Sequence, residues 1–225
     1  MKVGILGGTF DPIHLGHLRT AEEVAQELNL HKVYLIPAAS PPHKTREPIT
    51  DFAHRLAMAR LAVGHSAFLE ISDMEGRRPG LSYSIETLRE LHQILTPSPE
   101  IFFIVGTDAF FEVQTWKDYR KLFDYTHFVI IQRAGFQSQN LEPFLSRLGL
   151  EIKSSHNSGA WLTPSGKSLI AMNTTLMEIS STCIRNLVAG GKSIRFLVPE
   201  AVVEYIIEKE LYRYNGKPRQ GKIMR

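Results

Sequence analysis

Gly7-Gly8-Thr9-Phe10-Asp11-Pro12-Ile13-His14-Leu15-Gly16-His17 is the stretch on which the reading of this chain turns. A short apolar run, Val3-Gly4-Ile5-Leu6, precedes it, and Leu18, Ala21, Val24, Ala25 and Leu28 follow at helical spacing. Strand, glycine-rich turn and helix in that order put the turn at the carboxyl end of a strand, where open α/β sheets bind ligands. Gly7 and Gly8 permit a tight turn and close approach of backbone to ligand. His14 and His17 are three apart and share a face of the first helical turn. Gly16 between them leaves room for a phosphate chain. A helix N-terminus presents unbonded N–H groups and the positive end of the helix dipole, which suits an anion. Two imidazoles at that end donate hydrogen bonds to phosphate oxygens and stabilise charge that grows during phosphoryl or nucleotidyl transfer. A metal pair would need a third ligand, and no spacing in the chain supplies one.

Outward from this stretch, strand and helix patterns alternate. Further apolar runs are Val33–Ile36, Phe68–Ile71, Ile101–Val105 and Phe128–Ile131. Most are apolar on both faces, as buried strands of a parallel sheet are. Phe52, Leu56, Ala59 and Val63 form one helical stripe; Ile85, Leu88, Leu91 and Leu95 form another, with Ser82 or Ser84 as its N-cap. Residues 153–167 are polar and rich in glycine and serine and read as a loop, followed by a sixth strand at Leu169–Met172. One helix is expected from Ser181 and another over 199–211, with Pro199 in its first turn. The fold class that follows is α/β: a Rossmann-like, doubly wound parallel sheet with a small helical C-terminal part at about 180–212. A single domain over 1–212 and a basic, flexible tail over 213–225 are expected.

Composition narrows the partners. The chain has 225 residues, one cysteine, 43% apolar and 22% charged residues, which excludes disordered, collagenous and coiled-coil classes. There is no run of 18 apolar residues to span a membrane, and no signal-peptide pattern at the start. With Cys183 alone, no disulfide is available, so the expected setting is the reducing cytoplasm. Cys183 itself reads as a small buried residue without chemistry. The pI near 9.0 points toward nucleic acid. However, Arg213, Lys217, Arg219, Lys222 and Arg225 lie in the tail. Without those five, 21 of the 26 basic residues face 23 acidic ones. The body is therefore nearly neutral, and neither a nucleic-acid nor a membrane partner is expected. An apolar face on the C-terminal helices is compatible with self-association.

Two other phosphate motifs fail. Gly166-Lys167-Ser168 and Gly191-Lys192-Ser193 lack the glycine a P-loop needs five residues earlier, where Trp161 and Asn186 stand. The spacing of Gly4, Gly7 and Gly8 does not fit a dinucleotide-binding Rossmann fingerprint.

The segment Gly-Gly-Thr-Phe-Asp-Pro-x-His-x-Gly-His resembles the nucleotidyltransferase superfamily related to class I aminoacyl-tRNA synthetases. Ile179-Ser180-Ser181-Thr182-Cys183-Ile184-Arg185 carries the same resemblance. Further segments are Pro41-Pro42-His43-Lys44, Arg55-Leu56-Ala57-Met58, Ser82-Tyr83-Ser84-Ile85-Glu86-Thr87-Leu88, Gly106-Thr107-Asp108 with Trp116, and Leu197-Val198-Pro199. Together, over residues 1 to about 212, they are similar to the bacterial nicotinate-nucleotide adenylyltransferase family. Leu81, Ser84 and Ala134 depart from the residues usual there, Pro, Thr and Pro.

The resemblance implies that ATP and nicotinate mononucleotide give deamido-NAD and pyrophosphate, a step of NAD biosynthesis. It implies that His14, His17 and Arg185 carry the catalysis. The ATP site would comprise Gly7, Gly8, Thr9, Phe10, His14, His17, Gly106, Asp108, Ile179, Ser181, Thr182 and Arg185. Asp108 would bind ribose hydroxyls, and Ser181, Thr182 and Arg185 the β- and γ-phosphates. Lys44, Tyr83, Ser84, Trp116 and Arg133 would hold the mononucleotide. In that site the Tyr83 and Ser84 backbone N–H groups meet the nicotinate carboxylate, and Trp116 stacks on the pyridinium ring. Mg²⁺ would accompany ATP, bound mainly by phosphate oxygens. Two alternatives remain open. One is a superfamily enzyme acting on nicotinamide mononucleotide or phosphopantetheine. The other is a non-catalytic nucleotide-binding sensor.

Overall fold

All six apolar runs read as strands lie in one sheet. The computed structural model describes residues 1–42, 49–95, 97–132, 141–154 and 159–213. In chain order the first half contains β1 (Lys2–Gly8), α1 (Leu15–Glu27), β2 (Lys32–Pro37), α2 (Phe52–Val63), β3 (Leu69–Ile71), α3 (Met74–Arg77), α4 (Ser84–Ile94) and β4 (Glu100–Gly106). Then come α5 (Thr107–Phe111), a 3-10 turn (Val113–Thr115), α6 (Tyr119–Tyr125), β5 (His127–Gln132), α7 (Leu141–Arg147), β6 (Lys153–Ser154), β7 (Ala160–Leu162), β8 (Ser168–Asn173), α8 (Ser181–Ala189) and α9 (Glu200–Glu208). The sheet order is β3-β2-β1-β4-β5-β8-β7-β6. Strand order reverses between β1 and β4, and in open α/β sheets a ligand crevice forms at that switch point, outside the carboxyl ends of the strands.

Alternation along the strands builds two cores. Val3 and Ile5, Ile101 and Phe103, and Phe128 and Ile130 join one cluster with Leu88 of α4, Phe110 of α5, Phe123 of α6 and Phe144 of α7. Leu6, Leu35, Phe102, Ile104 and Val129 join the other with Val24 of α1, Met58 of α2, Ile184 of α8 and Val203 of α9. Helices thus cover both faces, which is why the strands are apolar throughout. The apolar face of α9 (Val202, Val203, Ile206) is buried inside the chain's own core.

The structure departs from the sequence reading in four places. Residues 153–167 contain β6 and β7, which extend the sheet: β7 pairs antiparallel with β8, and β6 antiparallel with β7. Gly166, at φ +79°, turns the chain between β7 and β8, and Trp161 is buried in the core. The polar composition concealed a hairpin whose turn needs a left-handed glycine. The N-cap of α4 is Tyr83, not a serine. Ser82 instead accepts the Ser40 N–H through Oγ at 3.1 Å and donates its own N–H to the Ser40 carbonyl at 2.9 Å. On α2 the buried stripe is Arg55, Met58 and Ala59, rotated from the apolar stripe read in the sequence. Cys183 is exposed, on the outer side of α8, whereas the sequence reading had it buried.

His127 at the start of β5 shows one consequence of burial. Its ring stacks on Phe102 at 4.7 Å, and Nδ1 accepts the Ser168 N–H at 2.9 Å. Burial, with Lys167 and Lys2 nearby, holds its pKa below the ordinary 6.5, against the opposing pull of Glu100. Between the folded and unfolded values only the unfolded chain takes up the proton. This contribution to stability is therefore full above about pH 6.5 and falls as pH drops below it. Replacing His127 by Asn, which keeps an acceptor for Ser168, is expected to flatten the pH dependence of the melting temperature in that window. An unchanged slope would assign it to other groups.

Candidate active site

The turn after β1 is shaped by its own side chains. Phe10 is buried with φ +49°, a left-handed conformation unusual for a bulky residue. Its ring covers Gly8 so closely that a Cβ there would lie 2.8 Å from it. At Gly7 and at Gly106, on the adjacent carboxyl ends of β1 and β4, a Cβ would meet nothing within 4 Å. The switch-point crevice is thus open at its floor.

His14 is the N-cap of α1, and His17 stands in its first turn. The two rings stack at 3.6 Å, and the edge of Phe10 meets His17 at 5.0 Å. The His14 backbone N–H donates to His17 Nδ1 at 3.2 Å. A backbone N–H is always a donor, so Nδ1 is the acceptor, and in the neutral ring the proton sits on Nε2. His17 therefore presents an N–H donor from a held ring.

A second helix start meets this loop. Ser180 caps α8, its Oγ accepting the Cys183 N–H at 3.1 Å. Ser181 Oγ donates to the Pro12 carbonyl at 2.8 Å. Arg185 donates through Nη1 to the Asp11 carbonyl at 2.9 Å and through Nη2 to Thr182 Oγ1 at 3.3 Å. Two motifs are thereby joined by bonds that span 169 and 174 residues of sequence. Ser181 and Arg185 hold the loop that carries the histidines, a role the sequence reading did not anticipate. Ile179 immediately precedes this helix start.

Asp108 lies exposed in the first turn of α5, whose N-cap is Gly106. Thr107 Oγ1 anchors that turn by donating to the Ile131 carbonyl at 2.7 Å. Trp116, half-buried, meets Phe103 of β4 edge-on at 6.0 Å. Next to it, Lys117 lies 4.5 Å from the Tyr83 ring and pairs with Glu86 at 2.5 Å, which brings the α4 start and the Trp116 turn together. The Tyr83 N–H donates to the Leu81 carbonyl at 3.1 Å, so of the two amides expected to meet a carboxylate it is already engaged. An open pocket of about 260 Å³ lies between Ser40, Thr50, Phe52 and Leu81. Lys44 and Arg133 fall outside the described residues.

Arg55 entered the sequence reading only within a segment that carries the resemblance and was given no role there; it is 1% exposed. Nε donates to the Thr50 carbonyl at 2.8 Å, Nη1 to Thr9 and Ala38 at 2.7 Å each, and Nη2 to Ala39 at 3.3 Å. Burial lowers its pKa, opposed mainly by the nearby Asp11 carboxylate. A charged residue on the buried stripe of a helix, three and four residues before Met58 and Ala59, was the available signal.

The cytidylyltransferase-like family model matches residues 5–187. A protein of Geotalea daltonii named probable nicotinate-nucleotide adenylyltransferase is 44% identical over 213 residues, covering 94% of this chain and 98% of that relative. One of Geobacter sulfurreducens with the same name is 43% identical over 220 residues, covering 96% and 100%. Among solved structures, Plasmodium falciparum nicotinic acid mononucleotide adenylyltransferase complexed with NaAD is similar in fold, with TM-score 0.71 and 20% identity over 96% of this chain and 99% of that one. The same enzyme complexed with APC has TM-score 0.69 and 22% identity, over 96% and 99%. With an open switch-point crevice, paired histidines at one helix start and an arginine-bearing second helix start beside them, and with relatives alike over nearly their whole length, this chain belongs to the nicotinate-nucleotide adenylyltransferase family within the cytidylyltransferase-like superfamily.

Proposed function

We propose that this chain transfers the adenylyl group of ATP to nicotinate mononucleotide, giving deamido-NAD and pyrophosphate, as a step of NAD biosynthesis. The observation that carries the reading is the convergence of the α1 and α8 starts on one loop through the Arg185–Asp11 and Ser181–Pro12 hydrogen bonds. The mononucleotide phosphate attacks the α-phosphorus of ATP in line. A P–O bond forms there while the bond to the β-phosphate bridge breaks, and pyrophosphate leaves with the electron pair. The nucleophile is already an anion at neutral pH, so neither a general base nor a covalent enzyme intermediate is needed. Positioning and charge stabilisation carry the catalysis.

In this reading His14 and His17 donate to the ATP phosphates. The backbone at Gly7, Gly8, Thr9 and Phe10 borders them. Thr182 and the guanidinium edge of Arg185 receive the leaving pyrophosphate, beside Ser181 and Ile179. Gly106 and Asp108 border the ribose. Ser84 at the start of α4 meets the nicotinate carboxylate, beside Tyr83, and Trp116 lies against the pyridinium ring. Lys44 and Arg133 are assigned to the same substrate from the sequence. Mg²⁺ enters with the triphosphate. The imidazole nitrogens at 14 and 17 suit phosphate oxygens better than this oxygen-seeking ion, so phosphate and water supply its ligands. When bound, it neutralises charge on the leaving group. Residues 1–212 act as one domain, supported by the core that α8 and α9 share with α1 and α2. No described helix is long and apolar enough to cross a membrane, and the cytoplasm remains the proposed setting.

The test is pyrophosphate release with Mg-ATP and, in parallel, nicotinate mononucleotide, nicotinamide mononucleotide and phosphopantetheine. Release with nicotinate mononucleotide alone is expected. Preference for the nicotinamide form would keep the chemistry and overturn the carboxylate site. Preference for phosphopantetheine, or no release with any, would overturn the assignment.

A further inference from the structure

Beyond α9 the chain makes a last turn and ends its described course against the α1 loop. Lys209, Glu210 and Leu211 donate backbone N–H groups to the Tyr205, Ile207 and Ile206 carbonyls, closing the helix end. Glu210 and Tyr212 then take left-handed φ values of +51° and +63°. Such conformations cost a bulky residue about 1–2 kcal/mol and persist where surrounding contacts impose them. Here the Tyr212 ring packs against the core beside Met58, whose Sδ lies 3.9 Å from Oη, and Oη donates to Asp11 Oδ1 at 2.7 Å.

Asp11 is 5% exposed and lies between Phe10 and the helix of the two histidines. Its other oxygen, Oδ2, accepts the Thr50 N–H at 3.2 Å. Its carbonyl accepts from Arg185, and the Arg55 guanidinium lies close enough to feel its charge. A single buried residue thus gathers α2, α8 and the chain's last turn onto the nucleotide loop. Burial, and next the Asp11 carboxylate, raises the Tyr212 pKa far above the ordinary phenol value, so the hydroxyl keeps its proton and donates.

We infer that Tyr212 is a positioning residue for adenylyl transfer: by holding the Asp11 carboxylate it keeps the Thr9–His14 loop in the shape that receives ATP. The inference rests on the adenylyl-transfer reading for its kinetic arm. The contact acts on the ATP side, because Asp11 adjoins the elements assigned to the triphosphate. The mononucleotide elements, Ser84 and Trp116, belong to α4 and the turn after α5. Removing the hydroxyl leaves a buried carboxylate short of one donor, and the loop relaxes to find another.

The experiment uses the full-length chain with Tyr212→Phe, Asp11→Ala and both together. It measures steady-state kinetics for each substrate, calorimetric binding of Mg-ATP without the mononucleotide, and melting temperature. Tyr212→Phe is expected to weaken ATP binding and lower kcat/KM for ATP about 10-fold, with the mononucleotide KM changed less than 2-fold. The double variant is expected to be no worse than Asp11→Ala alone, because Asp11→Ala removes the acceptor of the same hydrogen bond. Unchanged ATP binding in Tyr212→Phe, additive effects, or an equal rise in both KM values would overturn the inference. If the unaltered protein is inactive with nicotinate mononucleotide, the functional reading fails. Calorimetry on ATP still decides the role of Tyr212.

Discussion

His17→Ala is expected to slow turnover by about 10²–10³-fold with the protein still folded, the loss that follows removal of one preorganised donor from a charge-bearing transition state. The ring is held from three sides: by the His14 N–H at Nδ1, by the stacked His14 ring, and by the edge of Phe10. Its Nε2–H is therefore aimed before substrate arrives, and aiming costs nothing at the moment of reaction. His17 is only half-buried, so truncation opens little of the core and the melting temperature should move by a few degrees at most. Steady-state pyrophosphate release checks it, together with the melting curve. Near-normal turnover from a folded variant would remove His17 from the catalytic assignment.

Arg55→Ala is expected to carry the largest cost in stability, about 3–5 kcal/mol, the range for deleting a buried, hydrogen-bonded charge. For a chain of this size that lowers the melting temperature by about 6–20 °C. One guanidinium ties together the loop after β1 (Thr9), the end of β2 (Ala38, Ala39) and the entry to α2 (Thr50). Without it, four carbonyls lose their donor, and the Asp11 carboxylate loses a neighbouring positive charge. Arg55→Lys should recover less than half of the loss. An ammonium is a point donor and cannot span four carbonyls from three segments as a planar fork does. Thermal melting of both variants decides the matter. Equal stability of the Lys variant and the unaltered protein would show that charge alone is needed there.

Much of this architecture was legible because its signals are local. The strands announced themselves as apolar runs, since a sheet covered on both faces needs no polar side. The motif from Gly7 to His17 was legible because a glycine turn, two histidines and a helix start are contiguous. The strands β6 and β7 were not, because a single buried Trp161 in a polar stretch carries too little periodic signal. Arg55 was quoted in a resembling segment but its role was not legible, because a helix stripe is read from apolar residues, and here the buried face is led by a charge whose partners are distant carbonyls. Ser82 misled for a similar reason: its hydroxyl serves Ser40, not the helix it precedes.

The sequence by itself determined the fold class, the order of six strands with the helices α1, α2, α4, α8 and α9, and the turn after β1 on which the phosphate-binding proposal rests. Each is set by residues within a few positions of one another, where spacing and backbone preference act directly. Only the tertiary structure decided how that turn is held. Arg185 reaches Asp11 across 174 residues and Tyr212 reaches the same residue across 201. No periodicity links positions so far apart. They meet because the sheet brings the chain's first loop and its last helices to one end, and a buried carboxylate there must find its donors wherever the fold supplies them.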